Sequence, residues 1–113
     1  MNIEQLREYC LSLPGVIEDI KWGHDLCFSV VEKMFCVTSM IVPHTISFKV
    51  QEEQYDELSI SPDIIPAPYM ARNKWVQVQN WSRLSDAEWE SYLKQSYELV
   101  KAKLSKKVQA QLM

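Results

Sequence analysis

Apolar residues at the start of the chain recur with the spacing of one helix face. The apolar positions of this segment lie three or four residues apart, and they are Ile3, Leu6, Cys10 and Leu13. This spacing predicts an amphipathic helix over about residues 2–13. Asn2 and Gln5 have the separation of a capping box, which places the helix start, and Pro14-Gly15 is typical of a helix end.

The pattern then changes to the alternation of strands. Residues 16–22 are extended in pattern, and the β-rich runs 26–31 and 34–41 are separated by Glu32-Lys33. With those two residues as the loop, we expect Val30 opposite Phe35. The expected core face is Leu26, Phe28, Val30, Phe35 and Val37. The opposite face is mixed in polarity, so we expect helices to cover only one face of the sheet.

The remaining elements follow in the same way. Residues 45–50 alternate strictly and predict a strand with Lys49 facing outward. Residues 51–59 have a helical pattern, and residues 75–79 alternate again. Ser85 and Glu88 form a capping box before a helix whose apolar stripe is Trp89, Leu93, Tyr97, Val100 and Leu104. The order of elements predicts an α+β fold, in which an antiparallel sheet is packed on one face by N- and C-terminal helices, with a short middle helix.

Rigid backbone, aromatic rings and positive charge coincide in one stretch, Pro66 to Trp75. The three prolines between residues 62 and 68 restrict the backbone to extended or turned conformations, and Arg72 and Lys74 precede Trp75. This stretch is the strongest local candidate for a binding surface.

Composition and charge narrow the class of protein. The 113 residues predict one domain, 1–113, with a formal net charge of −3. Residues 1–68 carry eleven acidic and four basic side chains, a net of −7, whereas residues 69–113 carry four acidic and eight basic ones, a net of +4. The absence of a long apolar run and of a signal-peptide pattern predicts a cytoplasmic protein with no membrane partner.

The cysteines and histidines indicate neither a metal site nor a cofactor. Cys10, Cys27 and Cys36 contain no C-x-x-C pair, and their spacing relative to His24 and His44 resembles no closed zinc site. No motif places a nucleophile beside a base, so we do not expect an enzyme.

Five short motifs, taken in order, resemble the MmcQ/YjbR family over nearly the full length of the chain. They are residues 13–16 with Glu18-Asp19, Lys33-Met34-Phe35, Ser47-Phe48-Lys49, Pro66 to Trp75, and 96–100 with Lys103-Leu104. The resemblance implies a CyaY/frataxin-like fold and DNA binding through a double-wing motif. Many members resemble His-x-Asn-Lys-x-x-Trp where this chain has Tyr69, Ala71, Arg72 and Trp75, so no imidazole is expected at that position.

These observations lead to a first functional hypothesis, a monomeric DNA-binding protein whose binding is weak and largely independent of sequence. The candidate residues are Lys33, Lys49, Arg72, Lys74 and Trp75, as cations for phosphates and an aromatic for stacking. The alternative is that Trp75 is a core residue and the lysines are solvated. The lysines at 101, 103, 106 and 107 could lie along a DNA backbone or be a solvated helix end.

A second hypothesis is a module that binds a small anionic ligand or a protein. Its candidate residues are Trp22, Tyr55, Tyr69, Arg72 and Trp81, with Arg72 as an anchor for an anion.

Overall fold

Six antiparallel strands form one sheet, and helices from both ends of the chain pack on one of its faces. In this computed structural model, residues 1–112 are described. The sheet order is β1-β2-β3-β4-β6-β5, so β1 and β5 are the outermost strands. The elements are α1 (Ile3–Ser12), β1 (Val16–Lys21), β2 (Asp25–Val30), β3 (Lys33–Ser39), β4 (Ile46–Lys49), α2 (Glu52–Ser59), β5 (Ile64–Pro66), β6 (Trp75–Val78), α3 (Asp86–Lys101) and α4 (Lys106–Gln111). The predicted α+β class is confirmed.

The helix starts agree with the capping patterns in the sequence. Asn2 and Gln5 form the capping box of α1, and Ser85 and Glu88 form that of α3. In each box a side-chain oxygen accepts from a backbone N–H that has no partner within the helix. Within residues 1–112, no helix combines the length and apolar character needed to span a bilayer.

The core lies between the sheet and α1 and α3. Tyr97 of α3 meets Phe35 edge-on, with ring centroids 5.6 Å apart, and Trp89 meets Phe48 in the same way at 6.0 Å. Both α3 rings are almost fully buried. Such pairs add specific geometry to the large apolar area that each ring removes from water.

The hairpin of β2 and β3 differs from the sequence prediction. Its loop is Val31-Glu32, one residue earlier than expected, and Val30 pairs with Lys33 rather than with Phe35. Both loop residues have positive φ, 46° and 65°, as a two-residue type I′ loop requires. The expected Glu32-Lys33 loop is therefore wrong.

A bulge in β3 changes which side chains face the core. Ser29 pairs with Met34 and Phe28 with Cys36, which leaves Phe35 without a partner on β2. Phe35 and Cys36 both join the core cluster, because a bulge turns two successive side chains toward one side. Val37, predicted to be in the core, lies instead on the face that the helices leave uncovered, where it lines a groove.

Candidate functional site

Most of the basic residues that the sequence predicts as candidates lie at one end of the sheet. Lys49 at the end of β4 pairs with Trp75 at the start of β6. Lys33 begins β3, and because β3 and β4 are antiparallel with Cys36 opposite Phe48, it lies at the same end. The loop of residues 67–74 joins β5 to β6 there, so strand order brings together residues that are distant in sequence.

A cavity of about 480 Å³ opens at this end. We call it the lysine cleft. Its lining residues are Lys33, Met34, Lys49, Met70, Asn73, Trp75, Val100, Lys103 and Leu104.

With no anion bound, the ammonium groups of Lys49 and Lys103 repel each other across the cleft. The pKa of Lys49 is lowered, first because the amine is partly buried and second because the Lys103 ammonium is close to it. The Lys49 Nζ donates to the backbone oxygen of Asn73 at 2.5 Å, which is a neutral partner. The ion pairs within 4.0 Å among residues 1–112 are those of the amino terminus with Asp86, Arg7 with Glu18, and His24 with Asp25. No lysine is among them, so an arriving anion would relieve the repulsion between Lys49 and Lys103.

Trp75 forms part of the cleft wall, but its ring is buried rather than exposed to solvent. Its side chain is only 6% exposed, which fits the core interpretation, although the residue still borders the cleft. The backbone on either side is held in place, because Ala67 N–H donates to the Trp75 oxygen at 3.0 Å and Val50 N–H to the Lys74 oxygen at 2.9 Å.

Lys74 and Arg72 differ from the cleft lysines. Lys74 has a left-handed backbone (φ 61°) at the end of the short helical turn Ala71–Asn73, and its Nζ lies 4.8 Å from the centroid of the Tyr55 ring. This distance is within the range of a cation–π contact, and Tyr55 itself packs against the edge of the core. Arg72 is exposed in the same loop and lines neither the cleft nor the neighbouring groove.

The groove occupies the sheet face that the helices do not cover. Its volume is about 600 Å³, and we call it the sheet groove. Trp22 and Tyr69, two of the five residues of the second hypothesis, line it. Trp81 does not, since its Nε1 donates to the His44 oxygen at 2.5 Å and its ring packs on Trp89. The lining residues are Trp22, Asp25, Met34, Val37, Ser39, Thr45, Ser47, Pro68, Tyr69, Met70 and Gln77.

Sequence reasoning did not single out Lys103 above its neighbours at the end of α3. Lys103 lies in the turn after α3, and it comes close to Lys49 because α3 packs on β3 and β4. No local sequence pattern encodes that packing. Within residues 1–112, no three His, Cys, Asp or Glu side chains are grouped closely enough to hold a metal ion.

Comparison with known proteins identifies the family of this chain and solved structures with a similar fold. The YjbR family model matches residues 11–99, which is more than half of the chain. The chain belongs to the YjbR family. The crystal structure of a Deinococcus radiodurans protein with a DUF419 domain superposes on this YjbR protein with a TM-score of 0.88 at 27% identity, covering 98% of this chain and 87% of the other. A Pseudomonas syringae protein has the same fold, with a TM-score of 0.73 at 23% identity over 88% of this chain and 99% of its own. No curated protein matches the chain.

Proposed function

We propose that this YjbR protein is a binding protein rather than an enzyme, and that it binds DNA through the phosphate backbone at the lysine cleft. The observation that carries the proposal is the convergence of Lys33, Lys49 and Lys103 on one cavity, with no lysine in an ion pair among residues 1–112. The family resemblance, which implies DNA binding, supports the same conclusion.

The chemistry of the cleft suits phosphate better than a carboxylate-bearing protein segment. A phosphate diester presents charged oxygens at regular intervals, and ammonium groups bind it as point charges without fixing base identity. Binding is then independent of sequence.

The affinity is expected to be modest. The net charge of −3 opposes approach of DNA, and three lysines neutralise only a few phosphates. Each neutralised phosphate contributes about 0.9 to the slope of log K against log salt concentration. Binding should therefore be measurable at about 50 mM salt and weak at about 200 mM.

Fluorescence anisotropy with a labelled duplex at these salt concentrations tests the proposal. The double variant Lys33→Gln/Lys103→Gln should lower the salt slope by about 1.8, since two phosphate contacts are lost. The matched control is Arg83→Gln/Lys94→Gln, which removes the same charge from exposed positions away from the cleft. No binding at about 50 mM salt, or an equal loss in the control, would show that the cleft is not a DNA site.

A further inference from the structure

The sheet groove is elongated along the strands. Met34 and Ser39 of β3 both line it, and a rise of about 3.3 Å per residue makes that span about 16 Å. Its volume of about 600 Å³ lies within the range of roughly 300–1,000 Å³ that is usual for ligand sites. The groove is therefore long and open enough for a short extended polymer.

Two aromatic side chains border the groove and project into solvent. Trp22 is 66% exposed and Tyr69 is fully exposed. Each has a left-handed backbone, with φ of 53° and 66°, which bulky residues rarely adopt. Both residues lie in turns, Trp22 with Gly23 (φ 84°) between β1 and β2 and Tyr69 directly after Pro68, so the turns set the positive φ. A bulky residue at such a strained position points to a function for its ring. Since neither ring belongs to the core cluster, the need to bury apolar surface does not explain their positions.

The lysine cleft is cationic, whereas the sheet groove carries little charge, so the two cavities suit an anionic part and a neutral part of one ligand. Among residues 1–112, Asp25 is the only formally charged residue that lines the groove, so an anion is not favoured inside it. Met34 and Met70 line both cavities, so the lysine cleft and the sheet groove adjoin and share a wall. A fitting ligand has anionic groups at the cleft end and neutral, flat rings spaced along the groove as far as Trp22, which lies at the Ser39 end.

We propose that the sheet groove receives unpaired bases of single-stranded nucleic acid whose phosphates lie in the lysine cleft. This inference rests on the proposed function, because the cleft supplies the phosphate contacts. Trp22 and Tyr69 stack on bases, as exposed aromatics do in proteins that bind single strands. Ser47 and Gln77 in the groove offer hydrogen bonds to base edges. A duplex hides the faces of its bases and gains only the contacts in the cleft.

Three labelled probes of equal length distinguish the contribution of the bases to binding from that of the phosphates. They are an oligo(dT) strand, an abasic deoxyribose-phosphate strand and a duplex, each titrated at about 50 mM salt. We expect oligo(dT) to bind at least tenfold more tightly than the abasic strand, since one stacked base is worth about that factor. The duplex should bind like the abasic strand.

Glycine variants remove the rings without threatening the fold. Trp22→Gly and Tyr69→Gly also relieve the left-handed backbone, so their thermal stability should equal or exceed that of the wild type. Each should lose about tenfold in affinity for oligo(dT) and none for the abasic strand. Tyr69→Phe keeps the ring and should keep the affinity. Val31→Gly is the control, because Val31 has the same kind of backbone (φ 46°) but does not line the groove.

The outcomes distinguish this inference from the proposed function. Equal binding of oligo(dT) and abasic strand, or glycine variants that bind oligo(dT) normally, would overturn base binding and leave phosphate binding intact. Failure of all three probes to bind would overturn both. Sedimentation that shows a dimer dissociated by Trp22→Gly or Tyr69→Gly would mean that a second copy of the chain covers the groove, and base binding would again be overturned.

Discussion

Ser96 of α3 completes the hydrogen bonding of Phe35, the bulge residue of β3. Its Oγ donates to the Phe35 backbone oxygen at 2.6 Å and accepts from the Lys49 backbone N–H at 2.9 Å. Ser96 is fully buried. One hydroxyl therefore satisfies two backbone groups from adjacent strands and fixes the backbone of a cleft lysine.

Ser96→Ala should lower the free energy of unfolding by about 3 kcal/mol, because a buried carbonyl and a backbone N–H both lose their partner. Urea denaturation measures this loss. Ser91→Ala, at an exposed position of the same helix, is the control and should change stability by less than about 0.5 kcal/mol. Equal effects of the two variants would contradict the role given to the Ser96 hydroxyl.

The ion pair of Arg7 and Glu18 should make stability depend on pH. Arg7 donates to both carboxylate oxygens of Glu18, at 2.9 Å and 2.6 Å, and this hydrogen bonding holds the pKa of Glu18 below its ordinary value of 4.5. The folded state then binds fewer protons than the unfolded state just below that value. The stabilisation is complete above about pH 4.5 and is lost as pH falls through the folded pKa.

Urea midpoints of the wild type and Glu18→Gln should therefore differ most near neutral pH and converge in acid. Adding Glu18→Gln to Arg7→Gln should cost less than it costs in the wild type, since the partner is already gone. A difference between wild type and Glu18→Gln that persists unchanged into acid would rule out this ion pair as its cause.

Replacing Val31-Glu32 by Asn-Gly should stabilise the protein by about 2 kcal/mol. Both positions have positive φ, where a β-branched residue is strained and Asn-Gly is preferred. The increase should appear as a higher urea midpoint. Ala-Ala at the same two positions keeps the strain, so a comparable gain from Ala-Ala would count against the type I′ assignment.

Removing Lys103 should raise the pKa of Lys49. In Lys103→Gln the effect of burial remains and the repulsion disappears, so the pKa should move part of the way toward 10.5. NMR titration of the Lys49 side chain measures it. Because the wild-type folded state binds fewer protons than the unfolded state between the lowered pKa and 10.5, stability should rise with pH across that window, and less so in the variant. Lys106→Gln is the control, and an equal shift there would contradict direct coupling.

The parts of the fold that the sequence predicts are those set by local patterns. Helix α1 follows from Asn2, Gln5 and one apolar stripe, and α3 follows from Ser85 and Glu88. The hairpin loop was misplaced because Val31-Glu32 contains no Gly or Asn to indicate a type I′ turn. The carbonyl of the bulge residue Phe35 is satisfied by Ser96, which is distant in sequence, so alternation alone could not reveal the bulge.

The sequence predicts several of the candidate site residues, but not which of them lie together in the fold. The sequence predicts Lys33, Lys49 and Trp75 as candidate residues, and strand order brings them to one cleft. Lys103 joins them through helix packing, and Lys74 turns to Tyr55 instead. Of the rings proposed for a pocket, Trp22 and Tyr69 share the groove, whereas Trp81 packs against Trp89. These outcomes depend on contacts between distant segments.

The outermost strands affect how the molecule behaves at high concentration. β5 has only three residues and ends at Pro66, which has no N–H to offer to another strand. β1 carries Glu18, Asp19 and Lys21, and charged side chains discourage pairing between sheets of different molecules. Both outermost strands therefore disfavour the addition of strands from other molecules and the growth of fibrils. Concentrated samples should therefore stay free of ordered aggregates.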